Sequence, residues 1–255
     1  MNMKKSAIAL GVVLAMISGS AMAHKEGDTI IKGGFAHYDA NMEFDTNTYQ
    51  DTRELSKGLD NTSNGLFISL THMTSDKIGI ELAYHHGMKV KGDYDFVLER
   101  ANSYYPNYIE RHGYTGEFGS KNVPITLTAN YYFGDANTKF RPYVGAGLSY
   151  IKFDVTKNKS SFGYKDDLIN GSIMMDEYLV NNDIDPAVGI AAKIGADYYV
   201  TDNVMITASV TYISAETTMT YTNKYHNGIR DTESYISKDI SINPVIATVG
   251  IGYRF

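Results

Sequence analysis

The sequence has no cysteine and no tryptophan, only five prolines, and fewer cationic than anionic side chains. Without cysteine there can be no disulfide framework, no thiolate-ligated zinc or iron–sulfur cluster, and no thiol nucleophile. With 23 Lys+Arg against 29 Asp+Glu the formal net charge is −6. No nucleic acid partner is expected, because phosphate binding needs a concentrated basic face. Long apolar runs are missing as well. A mean hydropathy of −0.26 excludes a polytopic helical membrane protein, which would need several apolar runs of about 20 residues.

What is present begins with an export leader over residues 1–23. Lys4 and Lys5 form a positive start, Ala7 to Ile17 an apolar run too short to span a bilayer, and Ala21-Met22-Ala23 a small-residue cleavage box. The mature domain is therefore expected to run from residue 24 to 255, starting at His24. It contains no further run long enough for a spanning helix. Two destinations remain, a soluble exported protein or an outer-membrane barrel.

Alternation separates them. Val123, Ile125, Leu127, Ala129, Tyr131 and Phe133 share one parity, with Pro124, Thr126, Thr128 and Asn130 on the other. The same division sets Val144, Ala146, Leu148 and Tyr150 against Gly145, Gly147 and Ser149. It also sets Val188, Ile190, Ala192, Ile194 and Tyr198 against Gly189, Ala191, Lys193, Gly195 and Asp197. Further stretches at 204–212 and 245–255, with weaker ones at 29–38, 64–74 and 77–88, bring the total to eight strands. A soluble sandwich or lipocalin-like barrel needs large apolar groups on its inner face. Here the second face is small or polar, so the expected fold is all-β, an eight-stranded antiparallel transmembrane β-barrel with apolar side chains toward lipid. The links support this. Ser75-Asp76-Lys77, Gly134-Asp135-Ala136-Asn137 and Thr201-Asp202-Asn203 carry turn chemistry, and they alternate with long polar links at 39–63, 96–120, 156–183 and 222–239. Short periplasmic turns and long extracellular loops give this pattern. Tyr131, Tyr143, Tyr150, Tyr198, Tyr199, Tyr212 and Tyr253 fall near strand ends, where a membrane interface would favour their rings.

Tyr131-Tyr132-Phe133-Gly134-Asp135-Ala136, followed by Lys139-Phe140-Arg141-Pro142-Tyr143-Val144-Gly145-Ala146-Gly147, resembles the signature of the outer-membrane protein W family. The start His24-Lys25-Glu26-Gly27, the turn from Thr74 to Leu82, and the ending Gly252-Tyr253-Arg254-Phe255 are similar too. The likeness covers the mature chain at strands and short turns and lapses in the long loops. It implies an eight-stranded outer-membrane barrel whose narrow, partly apolar interior passes small hydrophobic molecules, with exit sideways into the bilayer. The chain departs from the family in having no Trp for a girdle or a lumen constriction.

Eight strands enclose room for side chains or one small ligand rather than an open pore. Glu81, Asn130, Lys193, Asp197 and Arg254 fall on the inner face toward the short turns, joined by Lys32. Buried charges need partners, so Glu81 and Asp197 are expected to pair with Lys193 and Arg254. Such a network would serve as a structural plug or as a seal that diverts cargo sideways. Above it, Phe67, Ala83, Pro186 and Ala187 are expected to line an apolar vestibule. Ala83 and Pro186 sit near where the resemblance places the narrowing. Catalysis is not expected: His85 and His86 point to opposite faces and cannot share a metal ion. Acid pairs such as Asp166-Asp167 lack the spacing of a calcium loop. No cofactor is called for. The expected partners of a monomer are outer-membrane lipid, lipopolysaccharide and small hydrophobic solutes. A second function class is surface binding to host, phage or bacteriocin through loop aromatics such as Tyr104, Tyr105, Tyr108, Phe162 and Tyr178.

Overall fold

A strand with one apolar and one small or polar face is stable only where its two surroundings differ in the same way. The computed structural model describes residues 24–44, 52–53, 59–101, 109–135, 138–165, 173–176, 180–226 and 231–255. Eight principal strands follow one another: β1 (Thr29–Asp39), β2 (Thr62–Ser75), β3 (Ile78–His86), β4 (Ile109–Tyr132), β5 (Phe140–Lys165), β6 (Ala187–Tyr199), β7 (Val204–His226) and β8 (Val245–Arg254). Each pairs antiparallel with its neighbours, and β8 returns to β1, with Ile30 opposite Arg254 and Asp39 opposite Val245. The sheet is a closed eight-stranded barrel, which leaves no edge of unpaired backbone groups to face hydrocarbon.

The faces are inverted relative to a soluble barrel. Phe35, Val188, Ile190 and Phe255 are each more than two-thirds exposed on the outside. Lys32, Glu81, Arg141 and Asp197 are at 1% exposure or less inside. In water the outer band would leave the apolar area of eight strands unburied, at roughly 25 cal/mol per Å². In lipid that cost disappears. The short turns are held by their own hydroxyls. Ser75 Oγ accepts from the Ile78 amide at 3.1 Å, and Thr201 Oγ1 accepts from the Val204 amide at 3.0 Å.

Two expectations need correction. Much of what the sequence presents as long loops is strand. β4, β5 and β7 run for 24, 26 and 23 residues, about twice what a tilted bilayer crossing needs. Segment Met88–Ala101 pairs with β4, and segments Val180–Ile184 and Asp231–Ile242 pair with β7. Above the membrane the outer face meets water, so the alternation changes sense while backbone pairing continues: Met88, Val90, Ile240 and Ile242 are buried inside, whereas Lys89, Lys91 and Asp239 are exposed outside. The expected strand at 77–88 is also broken. Tyr84 opposes Ile125 but Met88 opposes Asn122, so one extra residue bulges where Gly87 adopts φ 86°. The expected leader lies outside the described residues, as do Asp166-Asp167, Tyr104, Tyr105, Tyr108, Tyr178 and the side chain of Phe162.

Candidate functional site: a layered barrel interior

Three layers fill the barrel from the short-turn end upward. The lowest is aromatic. Tyr132, Tyr143 and Tyr199 are buried together with Ile30, Met73 and Met205. This overturns the expectation that Tyr143 and Tyr199 stand in an outer girdle. Tyr143 shares the parity of Gly145 and Gly147, and Tyr199 that of Asp197, so both rings turn inward. Gly195 makes space for one of them, because a Cβ there would stand 2.5 Å from Cζ of Tyr143. Cations cover these rings. Lys32 Nζ lies 5.1 Å from the Tyr143 centroid, Arg141 Cζ 5.7 Å from that of Tyr132, and Arg254 Cζ 5.6 Å from that of Tyr199.

The second layer is ionic. Lys193 Nζ on β6 lies 2.8 Å from Glu81 Oε1 on β3, while Asn130 Nδ2 on β4 donates to Glu81 Oε2 at 2.6 Å. Lys32 Nζ on β1 lies 2.8 Å from Asp197 Oδ2 on β6. Burying a lone charge costs several kcal/mol, and opposite partners held at hydrogen-bond distance are the arrangement that offsets it. Glu81, Lys193, Asp197 and Lys32 thus meet in two pairs. Arg254 does not join them as expected. It sits at the mouth, 3.3 Å from Asp28 Oδ2, because it is the last paired residue of β8.

Two residues of this floor escaped the sequence reading. His24 is fully buried, with Nε2 3.1 Å from Asp197 Oδ2 and Nδ1 2.6 Å from the Tyr199 hydroxyl. It lies before the first strand, where no periodicity could reveal it. Burial pushes its pKa below the ordinary value of 6.5, helped by the nearby Lys32 and Arg141 cations and opposed by Asp197. Arg141 is also fully buried and gathers three carbonyls. It donates to Asp76 O at 2.7 Å, and to His24 O and Asp135 O at 3.4 Å each. Its parity with Tyr143 and Gly145 was the available signal.

The third layer, toward the extended hairpins, is apolar. Phe67 and Ala187 belong to a buried cluster that includes Tyr38, Met88, Ile151, Ile213 and Ile246. Ala83 is buried beneath it, level with Ser69 and Thr126. Pro186 is corrected: it is exposed, since its neighbour Ala187 points in and adjacent positions face opposite ways. His85 is buried beside the Phe67 ring at 6.4 Å, whereas His86 is exposed.

A closed barrel with lipid-compatible walls, turn-side ion pairs and an apolar upper interior narrows the choice of families. The OmpW family profile matches residues 25–255. The chain belongs to the OmpW family. Outer membrane protein W of Vibrio cholerae is 31% identical over 99% of this chain and 100% of its own length. Outer membrane protein W of Escherichia coli K12 is 29% identical with the same coverage. Among solved structures, OprG of Pseudomonas aeruginosa superposes with a TM-score of 0.59 at 21% identity, covering 92% of this chain and 99% of that one, which bears on the fold alone. This OmpW-family barrel resides in the outer membrane.

Proposed function

We propose that the barrel gives small hydrophobic molecules a narrow route from outside into the outer membrane, with no catalytic step. The observation that carries this reading is the split polarity of the interior: an apolar upper layer over a floor of paired charges and tyrosines. An apolar solute entering from the hairpin end meets surface like itself. Going straight through would mean opening buried ion pairs, at about 3–5 kcal/mol each. At 1.4 kcal/mol per factor of ten, that barrier slows axial passage by two to three decades or more, so sideways exit into lipid is favoured. The wall offers support for such an exit beside β7. The regular pairing of its neighbours is interrupted at Pro186 and at Pro244, where proline has no amide to donate and single backbone bonds, Asp185 N to Thr218 O and Ile213 N to Pro244 O, keep the contact.

Purified barrel in vesicles should accelerate uptake of a small apolar solute while showing little ion conductance. Equal uptake with and without the barrel would overturn the reading. A second reading, attachment through the hairpins, draws on the lengths of β4, β5 and β7. Under it, trimming the hairpins removes attachment and leaves solute uptake intact.

A further inference from the structure

Just above the apolar band the outer wall is electrically divided. Lys89 and Lys91 on the segment continuing β3, Lys121 on β4 and Lys152 on β5 are all exposed on the outer face. Lys89 stands directly opposite Lys121, and Lys121 opposite Asp154. Lys152 Nζ is 2.9 Å from Asp154 Oδ1, and the exposed Asp60 is opposite Lys91. Among the described residues, four cations therefore face two carboxylates across four adjacent segments. Around the barrel, over β6 to β8, the exposed charges at the corresponding edge among the described residues are Asp183, Asp185, Glu216 and Asp239. Tyr84 and Tyr150, exposed on β3 and β5, lie just below the lysines and mark the top of the lipid-facing band.

Like charges directly across an antiparallel pair destabilise it, and Asp154, opposite Lys121 but shared with Lys152, does not fully offset the facing of Lys89 and Lys121. An anion between them does. At this height on an outer-membrane barrel, the available anions are the phosphates of the outer-leaflet headgroups. We propose that Lys89, Lys91, Lys121 and Lys152 form a one-sided docking site for the phosphate groups of an outer-leaflet glycolipid, the lipid A of lipopolysaccharide. The opposite acidic edge repels the same groups, so the lipid has a preferred side. A cation near an anionic membrane surface contributes roughly a fivefold gain in binding. Removing three should then weaken binding by about 100-fold.

The test uses the folded full-length mature barrel in neutral-lipid nanodiscs, titrated with diphosphoryl lipid A and with its dephosphorylated form. The wild-type barrel should prefer the phosphorylated lipid, less so at high salt. The variant K89Q/K121Q/K152Q should lose about 100-fold in affinity, and E216Q/D239N should bind as well as wild type or better. If the triple variant fails to show the mobility difference between boiled and unboiled samples that marks a folded barrel, K121Q alone should still lose about fivefold. Equal binding of the dephosphorylated lipid, or undiminished binding by the lysine variants, would overturn the proposal.

Discussion

Lys32 and Asp197, 165 positions apart in sequence, meet at 2.8 Å inside the barrel on strands that do not pair with each other. The contact crosses the lumen, so it ties opposite walls together rather than neighbouring strands. Asp197 also receives His24, which places one carboxylate oxygen at the junction of the amino-terminal segment, β1 and β6.

Removing one partner of this pair leaves a buried charge without compensation. Asp197→Asn is expected to lower unfolding stability by about 3–5 kcal/mol, read as a shifted urea midpoint in vesicles. The double variant Lys32→Met with Asp197→Asn should recover much of that loss, because it buries no lone charge. A double variant as unstable as the single would show that the pair does more than neutralise charge.

At the floor, Gly195→Ala is expected to destabilise by about 1–3 kcal/mol, since its Cβ would meet the Tyr143 ring and, at 2.8 Å, the Ala208 carbonyl. Combining it with Tyr143→Leu should relieve only the ring's share. Urea midpoints of the four proteins in the cycle measure this. Full recovery in the double variant would mean that the Ala208 carbonyl contributes nothing.

His24 makes the fold sensitive to acid. Its folded pKa lies below the ordinary 6.5, so between the two values the unfolded chain holds more protons than the folded barrel. Its contribution is complete above pH 6.5 and is lost as pH falls toward the folded value. The unfolding midpoint should drop between pH 7.5 and 5, and His24→Gln should flatten that part of the profile. An identical slope in the variant would assign the acid sensitivity to another group.

Period-two reading reached the eight strands and their outward face because each rests on alternation within one strand, and closure followed from the backbone groups that hydrocarbon cannot satisfy. Glu81, Lys193, Asp197 and Lys32 were legible as inward charges for the same reason. Which of them pair was not, since the partners lie across the lumen and Arg254 finds Asp28 at the mouth instead. The apolar upper layer was within reach. Carrying the parity of Ser149 and Thr211 one step further gives Ile151 and Ile213, both fully buried. The hairpin extensions hid because the alternation reverses above the membrane, with Val90, Ile240 and Ile242 turned inward and Lys89, Lys91 and Asp239 outward. A local signal did exist: Asn227-Gly228 falls between His226 and Asp231, which pair with each other.

Adjacent residues on β6 provide a test of the transport reading. Ala187 is fully buried in the apolar layer, whereas Val188 is 68% exposed toward lipid. Ala187→Trp adds a large ring to the interior, while Val188→Trp adds the same ring to the membrane side. If solute passes through the upper interior, the first variant should cut uptake of an apolar solute into barrel-containing vesicles at least tenfold, and the second should leave it near wild type. Overpacking costs about 1–3 kcal/mol, so both variants must first show the gel mobility of a folded barrel. Equal uptake by two folded variants would mean that the solute does not travel past Ala187, and the route through the barrel would be lost as an explanation.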